Sequence, residues 1–184
     1  VRISNYQSWF RPAFAVIRDT DPAVYRRMIT SDWQVTAVDA PHDVDDVAEQ
    51  DSLTDAGHVL VELQGSFGET LTPKPDMPDD PSNPMPDILK RHTWLACKDI
   101  EGKAAELGIP MVKLAADVLV HEFRHIEGGD ESQARDAGEE FGRKLGEPAI
   151  VELSATGRQG AEIEAMLRDL KAKLAAGEYN DLGF

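Results

Sequence analysis

Apolar residues recur along this chain with two periods, and each change of period marks an element. Over 6–30 the spacing is helical: Tyr6, Trp9, Phe10, Ala13, Phe14 and Ile17 share one face, and Val24, Tyr25, Met28 and Ile29 make a second. Pro12 lies inside the first pattern, so that helix starts there or bends. Asp19-Thr20-Asp21-Pro22 reads as a stop followed by a capped start. Residues 33–38 alternate and predict a strand. Residues 57–64 predict another, and after a turn over 65–68, residues 69–72 predict its hairpin partner. His92–Ala96 predicts a further strand, 99–107 a helix, 148–153 an extended segment or turn, and 154–174 a last amphipathic helix before a tail over 177–184. In that last helix Ile163, Met166, Leu167, Leu170 and Leu174 share a face. Two stretches carry neither period. Residues 39–55 are acidic and read as a solvated loop or short helix, and 73–86 hold most of the prolines, so they predict a long loop.

The most informative run begins at Ile109. On a helical wheel Leu114, Val118, His121 and His125 lie on one face, and Val112, Leu119, Phe123 and Ile126 on a second. Lys113, Asp117, Arg124 and Glu127 form a polar stripe. Glu122 lies roughly opposite that stripe, among apolar neighbours, where a carboxylate needs a reason. Pro110 suits the start of this helix and Gly128-Gly129 its stop. Asp130 then suits the cap of a second helix, with Ala134, Gly138, Phe141 and Leu145 on its apolar face.

Length and charge narrow the picture. A chain of 184 residues fits one domain with room for a core, so residues 1–184 are read as a single unit. Acids outnumber bases 34 to 19, for a formal charge of -15, which argues against nucleic acid or an anionic membrane as the main partner. No apolar run approaches the length of a membrane span. The one cysteine, Cys97, excludes an internal disulfide, and its default is a small buried thiol. With no signal-peptide pattern over 1–5, a cytoplasmic location is favoured over an exported one.

The candidate chemistry lies in His121-Glu122-Phe123-Arg124-His125, the pattern H-E-x-x-H. Four residues apart on a helix, the histidines sit one turn above each other and can reach one metal ion. A tetrahedral zinc site needs a third protein ligand and leaves a position for water, and Glu122 is placed to take a proton from that water. Among the acids of the next helix, Glu131 falls at the edge of the apolar face, while Asp136, Glu139 and Glu140 fall away from it. Asp130 is the alternative ligand, unless capping uses it up.

The segment 121–145 resembles the active-site region of zincin metallopeptidases, over about 25 of the 184 residues. The spacing from His125 through Gly128 to Glu131 follows the metzincins, which carry His or Asp at the last position and a methionine turn that has no counterpart here. A glutamate on the following helix is the gluzincin arrangement, usually with a longer connector. The resemblance implies one Zn2+ per chain on His121, His125 and Glu131, Glu122 as general base, and hydrolysis of a peptide or protein substrate. It implies an α+β fold: a small, mainly antiparallel sheet, the His121 helix beneath it and further helices behind. An edge strand of that sheet would hold the substrate, and the hairpin over 57–72 is the candidate. The residue that stabilises the oxyanion stays open among His58, His92, Arg124 and Tyr179, and His92 and Cys97 are further candidates as outer ligands. Two other functions use the same motif: a non-catalytic zinc-binding regulatory or phage-related module, and a zinc amidase with a non-protein substrate.

Overall fold

The computed structural model describes residues 1–4, 7–38, 67–71 and 91–157. The acidic stretch 39–55, the strand over 57–64, the proline-rich stretch 73–86, Tyr6 and most of the last predicted helix lie outside them. The described elements are β1 (Arg2–Ser4), α1 (Phe10–Thr20), α2 (Pro22–Thr30), β2 (Gln34–Val38), β3 (Gly68–Leu71), β4 (His92–Ala96), α3 (Cys97–Leu107), α4 (Met111–Ile126) and α5 (Glu131–Leu145). A helical stretch over 148–157, α6, follows.

The class is mixed helix and small sheet, but the sheet is not mainly antiparallel. Among the described residues its order is β1-β2-β4-β3; β1, β2 and β4 run parallel, and β3 is antiparallel to its neighbour β4. The parallel pairing of β1 and β2 follows from what joins them. The chain leaves β1, turns back through α1 and α2, and re-enters the sheet in its first direction, as a helical crossover requires. A hairpin signal is local and short, whereas the direction of the other strands is set by these longer connections.

The helices begin and end where local chemistry allows. Pro12 falls within the first turn of α1, where a missing N–H costs little. The Asp21 side chain accepts from the N–H groups of Ala23 and Val24 at 3.2 and 3.0 Å, capping α2. One expectation fails here: 148–153 is helical, not extended. Pro148 stands at the first helical position, where proline favours a helix start, and the N–H groups of Ile150 and Val151 bond back to the Glu147 carbonyl.

At the centre lies α4. Every residue from Leu114 to Val120 is buried, because α1, α3, α5 and β3 surround the helix. Phe10 and Ile17 of α1, Trp33, Leu95 of β4, and Leu114, Leu119 and Phe123 of α4 belong to one core. Losing one such Leu side chain typically costs ~2–5 kcal/mol. Asp117, read from the wheel as part of a solvated stripe, is instead buried. Its carboxylate and the Ser154 hydroxyl both face the hollow over Gly138, so α5 and α6 close over it; a wheel drawn for one helix does not see that neighbour.

Candidate metal centre

The site is built on the α4–α5 turn. Helical geometry sets His125 one turn beyond His121, with ring centroids 5.1 Å apart and the rings edge-to-face at 73°. Gly128 then takes φ +86, a left-handed conformation that suits glycine, and ends the helix. Gly129 follows against the Arg124 carbonyl, where a Cβ would come within 2.8 Å of the oxygen. Asp130 starts α5 with a capping box: its side chain accepts from Gln133 N–H at 2.8 Å, and the Gln133 side chain accepts from Asp130 N–H at 3.4 Å. Asp130 is thereby engaged, and Glu131, the first residue of α5, turns back over α4.

Glu131 Oε2 lies 3.3 Å from His125 Nε2 and 3.6 Å from His121 Nε2, and one donor atom from each residue lies within 4.8 Å of the others. A tetrahedron with zinc–ligand bonds of about 2.05 Å has edges of roughly 3.3 Å, so this donor set could hold such an ion. The other Glu131 oxygen is occupied by Arg135, whose Nε lies 2.7 Å from Oε1. His125 Nδ1 lies 3.0 Å from the Gly129 carbonyl oxygen. A carbonyl only accepts, so Nδ1 carries a proton; Nε2 faces Glu131, and would offer its lone pair to a metal that displaced the proton it gives that carboxylate.

Glu122 stands behind this group, 4% exposed. Its Oε2 accepts a hydrogen bond from Thr70 Oγ1 of β3 at 2.6 Å. Its Oε1 lies against Gly68, where an added Cβ would sit 2.9 Å from it. Together these residues line a cleft of about 590 Å³, bounded by β3 on one side and by Arg135 and α6 on the other.

The charges are shifted as a compact group requires. Burial pushes the Glu122 carboxyl up, with the two histidines and Thr70 offsetting only part. Burial also acts to raise Glu131, but the hydrogen bonds from His121 and His125 and the charge of Arg135 outweigh it and hold the carboxyl well below the usual range. Burial acts to lower His125, yet Glu131, Glu122 and the Gly129 carbonyl leave it raised.

Of the residues singled out from sequence, His121, Glu122, His125 and Glu131 come together. His92 does not: its Nε2 is 2.6 Å from Thr36 Oγ1 and its ring stacks on Trp94 at 4.0 Å within the sheet. Arg124 binds Gln133 at 3.0 Å and lines a separate hollow of about 620 Å³ between α2, α4 and α5. Cys97 is buried at the start of α3, its sulfur 3.6 Å from the Leu95 carbonyl oxygen. His58 and Tyr179 lie outside the described residues. Sequence reasoning missed Gly68, Thr70 and Arg135. Arg135 had a signal, since it is one turn beyond Glu131 and of opposite charge. Gly68 and Thr70 share a strand face, but nothing local says which helix that face meets.

No known protein family, curated protein sequence or solved structure matches this chain.

Proposed function

We propose that this chain is a zinc-dependent peptidase of the zincin type, with one Zn2+ held by His121, His125 and Glu131 and with Glu122 as general base. The observation that carries it is the approach of Glu131 Oε2 to both histidine Nε2 atoms in front of a buried carboxylate. When bound, zinc supplies Lewis acidity, polarising a water and the scissile carbonyl. Glu122 takes a proton from the attacking water and passes it to the leaving amine as the C–N bond breaks. Burial raises its proton affinity, which suits a carboxylate to both halves of that task.

Substrate placement follows from the sheet. Among the described residues β3 lies at one edge of the sheet, and it lines the cleft. An extended peptide pairing with that edge would bring a carbonyl past Glu122. The position of α4 under an antiparallel edge strand also supports a zincin-like arrangement. A purely structural metal module has no use for an inward carboxylate beside the ligands, so Glu122 favours the enzyme. An amidase acting on a non-protein substrate would use the same groups, and substrate profiling separates the two.

The test combines metal analysis with hydrolysis of a denatured protein. One zinc per chain is expected, with cleavage lost on chelation and restored by zinc. A chain that takes up no zinc under any of these conditions contradicts the proposal.

A further inference from the structure

A line of side-chain hydrogen bonds runs from the core to Glu122. Trp33 Nε1 lies 2.8 Å from Thr93 Oγ1, Thr93 Oγ1 lies 2.7 Å from Thr70 Oγ1, and Thr70 Oγ1 lies 2.6 Å from Glu122 Oε2. All four residues are buried. The two ends determine the direction of every bond. An indole N–H only donates, so Thr93 accepts from Trp33. At the other end the Thr70 hydroxyl donates to Glu122 Oε2, which uses its single proton. The remaining Thr93 proton then goes to Thr70.

We infer that Thr70 is the positioning residue of Glu122, and that Trp33 and Thr93 set the direction of its hydroxyl. This inference rests on the reading of Glu122 as the general base. A glutamate carboxylate turns freely about its last torsion unless something holds it. Here Oε2 is tied to Thr70, and Oε1 is left beside Gly68 in the cleft wall. One oxygen is thus kept for the protein and the other for the proton transfer. Pre-set orientation of this kind is worth a large part of a catalytic group's effect.

The line also ties the base to the strand register. Thr70 and Thr93 are direct partners in the β3–β4 ladder, and Val35 pairs with Thr93 from β2. A one-residue slip of β3 would send Thr70 to the opposite face and release Glu122. The strand proposed to receive substrate therefore also orients the base.

The experiment pairs kinetics of the zinc-loaded protein with an indole spectrum of the zinc-free one. Thr70→Val keeps the shape and removes the hydroxyl; Thr70→Ser keeps the hydroxyl. The Val variant is expected to retain zinc and lose kcat about 10- to 100-fold with little change in KM, less than the roughly 10²–10⁴ of losing the base itself. The Ser variant recovers most of that loss. In a Glu122→Gln background Thr70→Val costs nothing further. Among the three tryptophan indole signals, Glu122→Gln moves that of Trp33 in the zinc-free protein, and Thr70→Val abolishes the response. Full kcat in Thr70→Val, beside an inactive Glu122→Gln, overturns the positioning role and leaves the peptidase reading standing. Equal losses in the Val and Ser variants assign Thr70 to packing and overturn it too. Unchanged turnover in Glu122→Gln overturns both readings. If Thr70→Val does not fold, the Trp33 signal in Glu122→Gln decides, and an unmoved signal overturns the inference.

Discussion

Glu131 Oε2 lies 3.3 Å from His125 Nε2, although the end of one helix and the start of the next separate the two residues. The closeness depends on Gly128 and Gly129, which turn the chain at once, and on Asp130, which starts α5 early enough for Glu131 to face back. Glu131 and Asp130 are adjacent acids with different tasks. Glu131→Ala is expected to weaken zinc binding at least tenfold. Asp130→Ala should leave zinc binding nearly intact and lower folding stability by ~0.5–2 kcal/mol through loss of the cap. Zinc competition titrations and urea unfolding of both variants check this. Metal lost from the Asp130 variant alone would reverse the assignment.

Gly68 tests how closely β3 presses on the base. A methyl group there would meet Glu122 Oε1 at 2.9 Å and the Leu95 side chain at 3.0 Å. Gly68→Ala is expected to keep zinc, lose about 1–3 kcal/mol of stability to overpacking, and cut turnover sharply because Glu122 must move. Thermal unfolding and steady-state kinetics on one preparation read both effects.

Asp117 predicts a pH dependence with a definite sign. Burial pushes its carboxyl up to about 7, with His121 offsetting only part. Between its ordinary value near 3.8 and about 7, the unfolded chain has lost this proton and the folded chain has kept it. The folded state binds more protons across that window, so this group's contribution falls as pH rises, by roughly 1.4 kcal/mol per unit, and levels off above it. Asp117→Asn removes that slope. The zinc-free variant should gain on the parent protein steadily from pH 4 to pH 7 in urea titrations. Parallel pH profiles for the two proteins would contradict the assignment.

The parts of the site that were legible in sequence are the local ones. His121, Glu122 and His125 sit within two turns of one helix, so their spacing alone puts them together. The Gly128-Gly129 stop and the Asp130 cap are short-range signals, and they carry Glu131 into place. Strand β2 was likewise readable from alternation, and β4 has the bounds expected of it. What sequence did not show depends on long connections. Thr70 reaches Glu122 across 52 positions of chain, and its face acquires meaning only when β3 settles on β4 above α4. The parallel sheet depends on crossovers rather than on any strand's composition. Asp117 looked solvated because its own helix was considered without α5 and α6. Residues 148–153 read as extended or a turn, and Pro148 instead starts a helix.

The central claim is that Glu122 moves the proton in a zinc-dependent hydrolysis. Glu122→Gln preserves the shape of the side chain and removes its ability to accept that proton. The deciding measurement is kcat/KM of this variant and of the parent protein on one peptide substrate, with zinc content determined on the same samples. One zinc per chain in both proteins, with a loss of about 10²–10⁴ in rate, is the expected result. Equal turnover at equal zinc content would contradict the mechanism.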